Sequence, residues 1–435
     1  MTAATPRAQR RLAGLSDVDG GTVPPAAADD PWRAWPIFAL HLEQAIDAGD
    51  AALLRLDLLD LTDLEGTYGP QAISALRAVT FARLETFVRS RGMVIADGGA
   101  RFAAFIAGLD GPDEIARVAE QMCAVVTAPT VVLGQTLHPA GCVGAAHVAP
   151  GCAVATVRSR AEAALEEARR AGTAAYRLFS PAMLEGIRSR TVLRQALQQA
   201  IADRQFRLHY QPLVRLSDRG LIGAEALARW KHPDLGMQAP AQFIPAAEET
   251  GLIVPLGAQV LEMALGQVRA WRDSGRGAPR VAVNVSALQI HRPDFARVVS
   301  RALAKAGVPP ALLELELTEG TLIESSLRTI AMLAELAGMG VTLAVDDFGT
   351  GYSSLRYLRD LPVHKLKIDQ TFVHNLAADS RDASIVAAVV AMARGLGLST
   401  TAEGVQTEAQ YRQLRDVGCD HGQGWLFGAP VALKA

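Results

Sequence analysis

The second half of the chain sets the tightest limit on what it can fold into. From residue 192 to 435, short apolar or β-branched runs alternate with helical stretches. Strands are expected at Arg207–Leu213, Leu221–Ala228, Val281–Val285, Leu312–Leu317, Val341–Val345, His364–Ile368, Ser399–Thr401 and Gly424–Phe427. Helices fit between most of them, at Ala239–Glu249 with Gly257–Arg272, Pro293–Ala306, Ser325–Ala337, Leu355–Arg359, and Ser384–Gly395 with Glu408–Val417. Eight strands with alternating helices predict a (β/α)8 barrel. An open doubly wound sheet is the alternative, and the shortness of several runs favours the barrel.

Such a barrel places its chemistry at the C-terminal ends of its strands. Polar residues gather there: Glu225 late in the second run, Asn284, Glu316 and Glu319, Asp346 and Asp347, Lys367 and Asp369, Glu403 after the seventh run, and Gln423 at the eighth. One acid in such a loop reads as a helix cap or a solvated charge. Acids at nearly every strand end call for another reason. Two carboxylates about 4 Å apart repel by roughly 4 kcal/mol at an effective dielectric of 20. A convergent set of Glu225, Glu316, Asp346, Asp347 and Glu403 therefore needs cations among them or protons on some. An all-oxygen donor set favours a hard ion, Mg²⁺ or Mn²⁺. Two such ions suit in-line hydrolysis of a phosphodiester, with Lys367 orienting water or neutralising developing charge.

The first half has another rhythm. Residues 1–33, rich in Ala, Pro, Gly and Asp, read as a disordered tail. Helices are expected at Ile37–Ala48, Ala72–Arg89, Pro112–Val126 and Thr156–Ala171. Strands are expected at Ala51–Leu59, Met93–Ala96, Arg101–Ala107 and Cys142–His147, with a hairpin turn at Gly98-Gly99. This predicts an α+β domain over residues 34–180. Residues 181–203 read as a helical connection into the barrel of 192–435.

Charge narrows the function classes. A net charge of −2 gives no bulk attraction to a nucleic-acid polymer. No apolar run reaches the roughly 20 residues of a membrane helix, and no apolar core follows Arg7, Arg10 and Arg11, so a cytoplasmic protein is expected. Cys123, Cys142, Cys152 and Cys419 have neither paired nor zinc-ligand spacing and are expected to be reduced.

The motifs of the second half resemble the EAL family of cyclic-di-GMP phosphodiesterases. They run Gln211-Pro212, Glu225-Ala226-Leu227 within EALARW, Arg229-Trp230, Asn284-Val285-Ser286 and Glu316-Leu317-Thr318-Glu319. They continue with DDFGTG from Asp346 to Gly351, Lys367-Ile368-Asp369, Ala402-Glu403-Gly404-Val405 and Gln423-Gly424. The resemblance implies a TIM-like (β/α)8 barrel whose first strand runs antiparallel. It implies hydrolysis of cyclic di-GMP to linear pGpG with two Mg²⁺ or Mn²⁺ ions. Glu225, Asn284, Glu316, Asp346, Asp347 and Glu403 would be metal ligands. Lys367, with Gln423, Glu403 and Glu225, would serve catalysis around the water. Gln211, Arg229 and Asp369 would contact substrate. Glu319 would brace the DDFGTG loop, near which relatives form a homodimer. The chain stops soon after Pro430, so a short or missing last helix is expected.

The first half resembles a degenerate GGDEF domain. Its hairpin reads Gly98-Gly99-Ala100-Arg101-Phe102, so the acidic pair has become Ala-Arg. Asp57 matches a metal-binding Asp, while Glu65 and Gly66 stand where Asn and Asp are usual. The Arg-x-x-Asp inhibition motif is broken, with Gly92 three residues after Arg89. The resemblance implies a regulatory domain without cyclase activity. The alternatives are a cyclic-di-GMP receptor that does not turn its ligand over and an interaction protein that uses the barrel as a docking surface.

Overall fold

The computed structural model describes residues 31–433 apart from 49–50, 110, 276, 278, 324–325, 350–354 and 377–379. Two compact units divide at residues 189 and 190, within the helix Pro181–Ala202. The tail expected at 1–33 lies outside the described residues up to 30, while 31–33 belong to the helix Pro31–Ala48.

In the first unit five strands form one sheet, in the order Gly92–Ala96, Arg101–Ala107, Ala51–Leu59, Ala140–Val148 and Ala175–Leu178. The central strand, AALLRLDLL, is buried along nearly its whole length because apolar clusters cover both faces of the sheet. Leu54, Leu56 and Leu58 face one cluster, and Ala51 and Leu53 the other. Its two charged residues survive burial by pairing. Arg55 pairs with Asp97 and, at 3.0 Å, with Glu162; Asp57 lies 2.8 Å from Arg169 and 4.0 Å from Arg101. The hairpin turns at Gly98 and Gly99, both at positive φ, as the absence of a Cβ allows. The helix Leu61–Tyr68, the strand Ala175–Leu178 and the small hairpin Thr130–Val132 with Gln135–Leu137 were not expected from the sequence.

The second unit is a closed eight-stranded barrel. Its strands are Phe206–Arg215, Leu221–His232, Arg280–Val285, Leu313–Thr318, Thr342–Phe348, Lys365–Ile368, Ser399–Ala402 and His421–Gln423. Six parallel pairings join the second to the eighth. The first strand closes the ring antiparallel to both neighbours, with Gln211 opposite Glu225 and His421 opposite Arg215. The expected antiparallel first strand is therefore present.

One expected strand is displaced. The eighth is His421–Gln423, not Gly424–Phe427. Gly424 brings the chain against the backbone of Val405, where an added Cβ would lie 2.2 Å from the carbonyl oxygen. The chain turns there, with Leu426 N–H donating to the Val405 carbonyl at 3.0 Å. The long second strand also runs past the end expected at Ala228, because Gly236–Gln238 pairs with its last residues.

The sequence of these strands explains the barrel. In LELELT and KLKI, apolar and charged residues alternate. Leu313, Leu315, Leu317 and Leu366 belong to the large apolar cluster shared with the surrounding helices. Their charged neighbours point the other way, into the barrel. Glu314, Glu316, Lys365 and Lys367 are nevertheless almost fully buried. The interior is thus polar at both ends of these strands. Among the described residues, no helix is long and apolar enough to cross a membrane.

Candidate active site

Lys367 stands at the centre of the barrel's C-terminal end. Its Nζ lies 2.9 Å from Glu316, 3.0 Å from Asp346 and 2.5 Å from Glu403. Those three acids come from three different strand ends and are brought together by the ring's closure. Burial opposes charge on Lys367, but Glu316, Glu403, Glu225 and Asp346 outweigh it and hold the ammonium well above the ordinary lysine range. Burial also pushes Glu316 well above the usual carboxyl value, against the pull of Lys367, with Glu225 and Asp346 adding repulsion. Glu403 is pushed up to about 7 by burial, against Lys367, with help from Asp346 and Glu225.

Glu225 is held by amides. Asn284 Nδ2 donates to its Oε1 at 2.6 Å, and Gln423 Nε2 to its Oε2 at 2.5 Å. The same Gln423 nitrogen donates to Gln211 Oε1 at 3.0 Å, and Gln211 donates to the Gly428 carbonyl at 3.2 Å. Because Asn284 spends its NH₂ on Glu225, its carbonyl oxygen is left for another partner. Arg229 lies four residues beyond Glu225, on the same face of the strand. Its guanidinium donates to the Ala228 carbonyl at 2.9 Å and is within electrostatic reach of Glu225.

The fifth strand ends irregularly. Register shifts between Val345 and Phe348, and Asp347 takes φ +53°. Asp and Asn tolerate that left-handed conformation better than most residues. The kink lets adjacent acids face one site: carboxylate oxygens of Asp346, Asp347 and Glu403 lie within 4.8 Å of one another. Burial raises the Asp347 pKa, with Asp346 and Asp369 adding to it. Asp369 sits beside this group but also caps a helix, its Oδ1 accepting from Thr371 N at 2.9 Å and Thr371 Oγ1 at 2.5 Å. Glu319 is placed one step away, with Oε2 accepting from Gly349 N at 2.9 Å. Thr350 and Gly351 of the DDFGTG loop lie outside the described residues.

The donor set fits divalent cations. Five acids (Glu225, Glu316, Asp346, Asp347 and Glu403) face one ammonium, so the end of the barrel carries excess negative charge. Every side-chain donor there other than Lys367 and the amides is a carboxylate oxygen, the chemistry of a hard-ion site. Sequence reasoning named Gly424 as part of the Gln423-Gly424 motif but missed its close approach to Val405, which sets the position of Gln423, and the Gly428 carbonyl that orients Gln211. A Gln-Gly pair at a strand end was the available signal.

Comparison with known proteins agrees with this layout. A model of the EAL domain family matches residues 194–430. The bifunctional diguanylate cyclase/cyclic di-GMP phosphodiesterase MucR of Pseudomonas aeruginosa is 38% identical over 400 residues, covering 91% of this chain and 58% of its own. The cyclic di-GMP phosphodiesterase NbdA of the same organism is 34% identical over 401 residues, covering 92% of this chain and 51% of its own. The chain thus spans little more than half the length of these curated relatives. The solved PaMucR phosphodiesterase in complex with c-di-GMP is 47% identical, with a TM-score of 0.53, covering 55% of this chain and 97% of that one. With a family match over more than half its residues, laid on the strands that carry the acid ring, this chain belongs to the EAL domain family.

Proposed function

We propose that the chain hydrolyses cyclic di-GMP to linear pGpG at the C-terminal end of its barrel. The observation that carries this reading is the ring of five carboxylates around Lys367, with excess negative charge and oxygen donors only. The names of MucR and NbdA, and the c-di-GMP bound to the PaMucR phosphodiesterase, support the substrate.

Glu225, Asn284, Glu316, Asp346, Asp347 and Glu403 would hold two Mg²⁺ or Mn²⁺ ions. When bound, such ions supply an activated water and stabilise the oxygens of an in-line displacement. The chain's own groups do the rest. Lys367, within reach of Glu316, Asp346 and Glu403, would orient the water or neutralise charge developing on the phosphate. Gln423 fixes Glu225 and Gln211 together, so both are oriented before substrate arrives. Gln211, Arg229 and Asp369 would contact the substrate, and Glu319 holds the start of the following loop through Gly349.

The first unit acts in this reading as a GGDEF-like regulatory domain without cyclase activity. Arg101 stands where the hairpin's acid would be and lies 4.0 Å from Asp57, with Arg169 at 2.8 Å, so guanidinium groups occupy the surroundings of that carboxylate. The protein would work in the cytoplasm as a homodimer through its barrel, with neither membrane nor nucleic-acid polymer as partner. Chromatography of cyclic di-GMP incubated with the protein and Mg²⁺ or Mn²⁺ tests the activity. Conversion to pGpG by wild type and not by Glu225→Ala is expected. Binding in Ca²⁺ without product in Mg²⁺ or Mn²⁺ would instead mark a receptor.

A further inference from the structure

The opposite end of the barrel has a chemistry of its own. A cavity of about 310 Å³ opens at the starts of the parallel strands. Its polar wall is Arg215, Arg280, Lys365 and His421, and Leu213, Ile222 and Leu312 supply an apolar wall. These side chains share none of their residues with the acid ring, which occupies the other ends of the same strands.

Three cations, Arg215, Arg280 and Lys365, meet three carboxylates, Glu314, Asp218 and Asp420, but the pairing is uneven. Lys365 Nζ lies 2.8 and 2.6 Å from the two oxygens of Glu314, and Arg280 Nη1 lies 3.4 Å from Glu314 Oε2. Two cations therefore share one carboxylate. Arg215 at the rim is paired with Asp218 at 2.7 Å. Asp420 Oδ2 accepts from Thr400 N and Oγ1 at 2.8 and 2.9 Å, neutral donors that leave its charge in place. His421 Nδ1 is buried with no hydrogen-bond partner. Burial and the neighbouring Lys365 depress the His421 pKa to about 4, with Arg280 acting the same way against Asp420 and Glu314. The cavity stands at the lower end of the roughly 300–1,000 Å³ of small-molecule pockets and is larger than a bare oxyanion needs.

We propose that this barrel floor binds a small organic anion, one phosphate or carboxylate on a short apolar body. The anion would sit against Arg280 and Lys365, and the apolar body against Ile222 and Leu312.

Calorimetry on the full chain in EDTA, with phenyl phosphate, inorganic phosphate and benzyl alcohol as probes, tests this. Phenyl phosphate is expected to bind once per chain, at least about tenfold more tightly than inorganic phosphate, a difference of about 1.4 kcal/mol. Benzyl alcohol is expected to give no binding. Arg280→Gln should weaken phenyl phosphate about tenfold or more. Ala311 also lines the cavity, and Ala311→Trp, which changes no charge and fills that space, should abolish binding, whereas Glu225→Gln should leave it within twofold. Cooperative melting of each variant establishes that it is folded. The proposal is overturned by no binding of phenyl phosphate at millimolar concentration, by equal affinity for inorganic phosphate, or by affinity that survives Arg280→Gln and Ala311→Trp in folded protein.

Discussion

Lys367 is a single buried cation shared by three acids, so its removal leaves uncompensated charge in a low-dielectric interior. Lys367→Met should cost about 3–5 kcal/mol in EDTA, the range for breaking a buried pair, and Mn²⁺ should recover part of it. Denaturant melts with and without Mn²⁺ check this, and equal stability of variant and wild type in EDTA would count against the ion-pair account. Glu225→Gln keeps the size of the side chain while removing a carboxylate. Turnover of cyclic di-GMP should fall at least about a hundredfold with a modest loss of stability, because only one of Asn284 and Gln423 keeps an oxygen to donate to. At His421 the sign follows from a folded pKa of about 4 against an ordinary value near 6.5. The fold favours the neutral ring, so its contribution is whole above about pH 6.5 and is lost as pH falls towards 4. His421→Asn should flatten that part of the stability profile by about 1–3 kcal/mol, read from melts at pH 7 and pH 4.5.

Elements decide how these residues meet. The eighth strand is three residues long and carries His421 to the floor and Gln423 to the top of the barrel. Its end depends on Gly424, whose φ is +155° and whose Cβ position is blocked by the Val405 backbone. Gly424→Ala should lower stability by more than about 1 kcal/mol and weaken activity together, since Gln423 loses its register. Thermal melting alongside turnover distinguishes this from a local effect on chemistry alone. The turn also shows why the eighth strand was misread. Trp425, Leu426 and Phe427 form an apolar run that resembles a strand, yet Trp425 is 73% exposed. Local pattern does not record that a distant backbone, that of Val405, lies in the way. The other barrel strands were legible because β-branched and apolar runs bounded by turns mark them directly. The short strand Ala175–Leu178 was not, since its place is set by pairing with the distant Ala140–Val148 and by packing of Tyr176 and Leu178 on the first unit's core.

At the scale of the whole chain, two units with separate cores share one polypeptide. A chain starting at residue 181 should turn over cyclic di-GMP, because the acid ring lies wholly within the barrel. A rate that differs from that of the full chain would measure regulation by the first unit; equal rates under all conditions would remove that role. Ala100→Asp with Arg101→Glu should not form cyclic di-GMP from GTP. Arg169 still holds Asp57, and Glu65 and Gly66 still differ from the Asn and Asp usual in the GGDEF domains that the first unit resembles in sequence.

The order of the motifs, spaced from Gln211 to Gly424, was enough to identify the family and to nominate the acids, the lysine and the amides that line one end of the barrel. That information is local: each motif sits at or near the end of a run whose character its neighbours reveal. Two things needed the closed ring. The first is the sense of the alternation in LELELT and KLKI, which by itself suits a strand with its charged face in water. Closure turns that face inward, because the helices take the leucines, and so buries Glu314, Glu316, Lys365 and Lys367 as ion pairs. The second is which charges meet. Lys365 pairs with Glu314 and Lys367 with Glu316, although about fifty residues separate each pair in the chain. Coulombic partners are chosen by distance in space, and only the barrel sets those distances.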